Sequence, residues 1–429
     1  MPIADEQQPT ANRHPTCGTM RDRCTVAAVR VIAMRIGIIG ARVAGSYAGV
    51  LLGHMGHEIL LFDDSIEKDK PCGGGVTFKA LRRMPWLYQE SLPFTEARTI
   101  HLTTADGYSS SLPLPHPVHI FPRFSLDRHV REWAIQSGVR FIPERARRFE
   151  NDGKGWSIVT SGGTHEVDFL IGADGASSKV RATVTSPFLS SDLILAVGYH
   201  LPELYDPGVL RIAYQEPGFT GYIWSFPCVD HSSTGIGRLL PGTRSSNLRK
   251  RLEDYIAVHY PDAAHGKSLY AACIPCLSRD SLMNQTVCGE RWALLGDAAG
   301  FTDGITAEGI YYAFRSAELL AESIRRGEPL TYEAAWRSEF RDDLETAAAW
   351  RDRFYCGMVL SKTFIRRSLQ AVKHSPTIRG MLDHVISGKL SYKALLQNLI
   401  YKSPQILAQV ICSKTRRMMH YELRMTNYE

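Results

Sequence analysis

Apolar positions change their period along the chain, and the changes mark the elements. Residues 34–45 read as an apolar β run, a tight turn and the opening of a helix, Ser46 to His54, rich in small residues. A second apolar run, Glu58 to Phe62, ends at Asp63, so the whole forms one βαβ unit. Two later stretches repeat the strand-then-turn pattern. Val167 to Arg181 carries a buried-type strand ending in Asp174-Gly175, and Trp292 to Gly309 carries another ending in Gly296-Asp297, with a helix expected to open near Thr306. Between them, alternation predicts strands over 193–201, 209–215, 222–228 and 234–239. From Thr306 onward the pattern reads helical, and its last portion is rich in Ala, Leu and Arg.

Length and composition narrow the class. The chain has 429 residues, 44% hydrophobic and 22% charged, which suits two or three globular domains and excludes a disordered or collagen-like chain. A run of about 18 charge-free apolar residues, the mark of a spanning helix, is missing. The longest charge-free stretch, Gly107 to Pro122, is broken by four prolines. The net charge of +6 is uneven, because residues 351–429 hold 14 Lys+Arg against 4 Asp+Glu. Such an excess suits phosphate groups, an anionic membrane surface or a merely solvated face. No helix-turn-helix, zinc or aromatic–basic module accompanies it, which argues against nucleic acid as a partner. Nine cysteines, an odd number in a long chain, argue against a secreted disulfide framework and for a reducing, cytoplasmic setting. Cys273 and Cys276 form one Cys-x-x-Cys without a second pair or a His pair, so they read as loop or core thiols and no metal site is expected. Residues 1–33 are polar and lack the apolar core of a secretory signal; they read as a disordered extension, or as sequence before a start at Met34.

The βαβ unit has the spacing of a dinucleotide site. Gly40 would make the turn, Gly45 would let the helix approach the strand, and Asp63 would bind a ribose hydroxyl while the helix N-terminus faces a pyrophosphate. Arg42 stands where the fingerprint has its middle glycine; its Cβ narrows the approach to phosphate, and its guanidinium offers charge instead. Asp174 and Asp297, each at a strand end, are placed to clamp a polyol hydroxyl, and a helix opening near Thr306 would stabilise negative charge. Gly73, Gly74 and Gly75 follow Cys72. Three glycines in a row are too costly in backbone entropy for a core and fit a place where backbone lies against something flat. Tyr222, Trp224 and Phe226 alternate, so in a strand all three share one face, either lining an apolar cavity or filling a sheet core.

The three strand–turn segments together resemble the flavoprotein hydroxylase fold, the group typified by p-hydroxybenzoate hydroxylase. The resemblance implies FAD, with Asp174 near the pyrophosphate and Asp297 near the ribitol. Arg123, in Pro-Arg-Phe-Ser-Leu-Asp-Arg, matches an arginine that the group places beside FAD. Within this fold, Pro-Cys-Gly-Gly-Gly (71–75) and Tyr-x-Trp-x-Phe-Pro (222–227) followed after seven residues by Gly-Ile-Gly resemble the geranylgeranyl reductase family. So do Gly-Asp-Ala-Ala-Gly leading to Thr-Ala-Glu-Gly-Ile-Tyr-Tyr-Ala, and Gly-Lys-Leu-Ser-Tyr at 388–392. The match covers 34–410, with Gly304 where a proline is common. It implies an α/β fold with an α+β insert. A Rossmann-type FAD-binding domain would come from 34–182 and 276–340, a mostly antiparallel substrate sheet from 183–275, and a helical C-terminal portion from 341–429.

The implied activity is reduction of carbon–carbon double bonds in a prenyl chain, with reduced FAD giving hydride and a protein group giving the proton. Cys72 stands in the glycine loop as that donor, or as a small apolar group beside the flavin; thiols in general are largely protonated at neutral pH. The fold also hosts monooxygenases and halogenases acting on aromatic or polyketide metabolites, and those consume oxygen. Either NADPH or ferredoxin would serve as electron donor. A prenyl-lipid substrate implies contact with a membrane surface, here the inner face of the cell membrane. Leu395, Leu396, Leu399 and Ile400, then Ile406, Leu407, Val410 and Ile411, recur at helical spacing with Lys402, Lys414, Arg416 and Arg417 beside them. The alternative is a helix packed on the protein with a wet basic face.

Overall fold

A computed structural model describes residues 32–406, 408 and 409, apart from 68, 69, 71, 90, 91, 265–267 and 388. Residues 1–31 of the 1–33 extension, and Leu407, Val410, Ile411, Lys414, Arg416 and Arg417 of the C-terminal reading, lie outside the described residues.

Arg35–Ile39, helix Val43–His54 and Glu58–Phe62 form the expected βαβ unit at the centre of a six-stranded sheet. The sheet order is 288–289, 292–294, 169–172, 35–39, 58–62, 140–142, parallel except at the Cys288–Gly289 edge. In register, Ile38 lies between Ile171 and Leu61. Such strands are continuous apolar runs because both faces are covered. Helix Val43–His54 packs one face with helices Arg123–Gln136 and Ile310–Arg325. On the other face lies the three-stranded meander 148–151, 156–159, 164–167, close enough that a Cβ on Gly37 would sit 2.4 Å from the Ile158 side chain. Leu60, Leu61, Phe62, Leu170 and Ile171 are accordingly buried.

The four strands expected from alternation appear as Leu193–Leu201, Val209–Tyr214, Gly221–Pro227 and Ser232–Leu239. They sit in an eight-stranded sheet that draws on more of the chain than 183–275. Its order is 268–275, 193–201, 232–239, 221–227, 209–214, 95–103, 109–120, 75–76. Thr95–Thr103 pairs parallel with Val209–Tyr214, while every other pairing in this sheet is antiparallel. The proline-broken stretch is therefore strand Ser109–Ile120. Prolines are tolerated there because its outer side is paired only at Ile120 and His119, by the short strand Gly75–Val76. Helix Ser245–His259 covers one face of the sheet with Leu248, Leu252 and Ile256.

The late helix opens at Ile310, not near Thr306. The Asp303 carboxylate accepts the N–H groups of Ile305 (2.8 Å) and Thr306 (2.7 Å), and Ala307 is left-handed at φ +57, so the chain turns before it can wind. Helices Asp342–Cys356, Phe364–His374, Pro376–Ile386 and Tyr392–Tyr401 follow. They are interrupted by a small hairpin, Met358–Val359 with Lys362–Thr363, that the helical reading did not anticipate. Among the described residues no helix is long and apolar enough to cross a membrane.

Candidate functional site

Three residues separate the Val43–His54 helix from the first strand, and the turn between them has no room for a side chain at its first position. Gly40 is left-handed at φ +103, and a Cβ there would lie 2.3 Å from the Ala173 carbonyl oxygen. Arg42 is the residue before the helix, and its Nη1 donates to Asp127 Oδ2 at 3.0 Å. Asp63, at the end of the second strand, accepts the N–H of Ala41 through Oδ2 (2.8 Å) and that of Ser65 through Oδ1 (2.7 Å). Ala41, Arg42, Asp63, Phe124, Asp127 and Arg131 surround one small depression. Carboxylate, guanidinium and turn thus meet where a ribose and pyrophosphate would lie.

Arg123 begins its helix after Pro122 and is buried. Its Nη2 donates to Asp127 Oδ1 at 2.9 Å, and the Cys72 side chain lies close enough to act on its charge. Burial works against the charge on Asp127, yet Arg123 and Arg42 outweigh it and hold that carboxyl below its ordinary range. The chain Arg42–Asp127–Arg123–Cys72 links the depression to a large cavity of about 760 Å³ that Arg123 and Cys72 both border. Asp127 was not singled out from sequence; its position four residues after Arg123, on one helix face, was the available signal.

The large cavity brings together most of the remaining expected residues. Cys72, Gly73, Gly75, Asp297 and Thr306 line it, and so do Tyr222, Trp224 and Phe226. The aromatic strand therefore faces a cavity, and its rings also explain the glycines. A Cβ on Gly73 would sit 2.4 Å from the Phe226 ring, and one on Gly74 (φ +74) would sit 2.2 Å from the Phe121 carbonyl oxygen. The flat object against the glycine loop includes Phe226. Cys72 Sγ accepts the Gly74 N–H at 3.4 Å, and Ser233 Oγ donates to the Cys72 carbonyl at 3.0 Å, tying the loop to the sheet. Tyr222 OH donates to the Thr306 carbonyl (2.5 Å) and Tyr355 OH to that of Ile305 (2.6 Å), so the 303–309 turn is held from the sheet and from the C-terminal helices.

Polar residues that had not been expected also border the cavity, among them Lys70, Thr302 and Glu308. Lys70 Nζ reaches Asp297 Oδ2 at 2.7 Å. Thr302 keeps a buried Oγ1 with no protein partner, as Arg123 does with its Nε. Glu308 accepts a bond from Thr77 Oγ1 at 2.7 Å, and burial pushes its carboxyl up. Its place in Thr-Ala-Glu-Gly was the sequence signal. Asp174 borders neither cavity. Its carboxylate takes Ser178 Oγ at 2.5 Å and the N–H of Lys179 at 2.7 Å, capping helix Lys179–Val184. Gly296, at φ +51, packs its turn against Ala44 and Ala313. Among the described residues no cluster of three or more His, Cys, Asp or Glu could hold a metal ion. The tight glycine turn, the Asp63 and Arg42 cradle and the unpartnered Arg123 and Thr302 atoms fit an extended dinucleotide.

No family model matches the chain. It is 26% identical over 328 residues to the chloroplastic geranylgeranyl diphosphate reductase of Arabidopsis thaliana, covering 68% of this chain and 66% of the plant protein. It is 26% identical over 335 residues to the menaquinone reductase of Mycolicibacterium smegmatis, covering 70% of this chain and 78% of that one. Among solved structures, a geranylgeranyl bacteriochlorophyll reductase-like protein of Thermoplasma acidophilum superposes with a TM-score of 0.70 at 18% identity, over 89% of this chain and 99% of the other. A flavin-dependent brominase superposes with 0.66 at 16% identity, over 87% and 100%. The chain is thus similar in sequence to geranylgeranyl diphosphate and menaquinone reductases, and it has the fold of the flavoprotein hydroxylases and halogenases.

Proposed function

We propose that the protein binds FAD along the path from Asp63 to Asp297 and reduces carbon–carbon double bonds of a prenyl chain lying against Tyr222, Trp224 and Phe226. The observation that carries this reading is the meeting of the two motifs across one cavity, where the Phe226 ring packs on Gly73 beside Cys72. Farther along, Ile100, Leu114, Val118, Leu210, Ile212 and Ile386 extend an aliphatic stretch of the lining suited to an isoprenoid, beside charged residues such as Lys79, Arg83 and Asp343. The names of the related reductases support the same substrate class.

The residues Arg42, Asp63, Arg123, Lys70, Asp297 and Thr302 would hold the cofactor. When bound and reduced by an external donor, the flavin supplies a hydride to one alkene carbon. The other carbon needs a proton, and Cys72 Sγ, at the cavity wall, is placed to give it. The Gly74 N–H meets that sulfur and the Arg123 guanidinium lies near it, and both would steady it once the proton has left. Tyr222 and Tyr355 fix the 303–309 turn, and the aromatic and aliphatic walls keep water from the reacting carbons.

The test is anaerobic turnover of a panel of prenyl diphosphates and prenylated quinones by the dithionite-reduced protein, read by product mass. A gain of two hydrogens per reduced bond is expected. In Cys72→Ser, flavin retention should persist while reduction slows by roughly 10²-fold, the scale of a general acid. No product without oxygen, together with stoichiometric oxygen consumption on an aromatic substrate, would replace this reading with a monooxygenase or halogenase.

A further inference from the structure

The unexpected hairpin between helices Asp342–Cys356 and Phe364–His374 carries three consecutive apolar side chains into solvent. Met358 is 57% exposed, Val359 39% and Leu360 83%. Runs of this kind on a surface are avoided unless they have a use. The turn residues sharpen the point. Leu360 (φ +48) and Ser361 (φ +61) are both left-handed, the conformation of a two-residue hairpin turn that Asn-Gly serves best and a bulky leucine serves badly. A leucine kept at a strained position, where its side chain touches almost nothing, is kept for what that side chain meets outside the chain.

The surroundings select the partner. Residues 353–382 contain six Lys+Arg and no Asp or Glu. Lys362 is half exposed at the hairpin itself, at the 4.0 Å edge of an ion pair with Asp106, and Arg367 braces the tip by donating to the carbonyls of Val359 (3.2 Å) and Leu360 (2.9 Å). Arg353 and Lys373 are exposed close by in sequence, while Arg366 is engaged with Asp106. An apolar tip with a cationic collar matches the layered chemistry of an anionic bilayer, apolar below and negative at the headgroups.

We propose that the 358–361 hairpin is a membrane-surface anchor, its Met358–Leu360 tip entering the headgroup–acyl boundary of an anionic bilayer while Lys362 and neighbouring cations meet lipid headgroups. The anchor lies well before the 395–417 stretch suggested by sequence periodicity, and it does not depend on the reaction assigned above, since binding is read without flavin turnover.

The test is co-sedimentation of the full chain with vesicles of phosphatidylcholine mixed with phosphatidylserine, against phosphatidylcholine alone. Wild type should bind the anionic vesicles and be released by salt. Leu360→Asn should cut the partition coefficient about ten-fold or more, the worth of one leucine leaving the boundary. Because asparagine accepts the left-handed turn, its melting temperature should hold or rise, which separates lost binding from lost folding. Met358→Gln should act in the same direction, and Lys362→Gln should weaken binding to anionic vesicles alone. Absent wild-type binding, or binding unchanged in both Leu360→Asn and Met358→Gln, overturns the anchor. If Leu360→Asn instead dissolves a dimer of a chain that ignores vesicles, the tip is a self-association surface and the proposal also fails.

Discussion

Asp127→Asn offers the sharpest test of the buried charge chain. The Arg123 and Asp127 side chains are only 3% and 6% exposed, so solvent screens neither. In the native protein one carboxylate sits between two guanidinium groups, Arg123 at 2.9 Å and Arg42 at 3.0 Å. The amide keeps the shape and removes the charge, leaving the Arg123 cation buried without its counter-ion. Breaking a buried pair from one side costs about 3–5 kcal/mol, a large part of a typical total of about 5–15 kcal/mol. With a urea slope of about 3 kcal/mol/M, the midpoint should fall by about 1 M or more. The double variant Arg123→Met/Asp127→Leu should recover most of that loss, because the uncompensated charge goes with its partner. Urea unfolding followed by tryptophan fluorescence reads both. A fall below about 0.3 M for Asp127→Asn, or a double variant no better than the single one, would refute the claim that the carboxylate is there to neutralise Arg123.

Gly73→Ala should cost about 1–3 kcal/mol, since the new Cβ would lie 2.4 Å from the Phe226 ring and the ring must shift. Phe226→Leu in the same chain should restore part of the melting temperature, and a neutral Gly73→Ala would show that loop and ring do not touch. Glu308→Gln should change the pH dependence of stability. Burial raises the Glu308 carboxyl above its ordinary value of 4.5, so over the window from that value up to the raised one the folded chain keeps a proton that the unfolded chain loses. This contribution is complete below the window and is lost as pH rises through it. The glutamine variant should therefore gain stability relative to wild type as pH rises, and parallel urea midpoints across that range would count against the assignment.

Local sequence determined the elements that close on themselves. The Met34–Asp63 βαβ unit, the four strands between Leu193 and Leu239 and the glycine turn at Gly40 were legible because period, turn chemistry and sterics act between neighbours. The motif residues were legible for the same reason, and most of them border one cavity. Tertiary structure decided what depends on distant partners. Ser109–Ile120 looked like a broken stretch until an edge position made its prolines harmless. The helix after Asp303 starts four residues late because one carboxylate captures two backbone N–H groups. Whether Tyr222, Trp224 and Phe226 filled a core or faced a cavity had no local signal, since alternation is the same in both. Lys70 became visible only beside Asp297, 227 positions away, and the partner that Glu308 meets, Thr77, comes from 231 positions away. A charge is ordinary in sequence, and only burial beside a particular partner gives it a role.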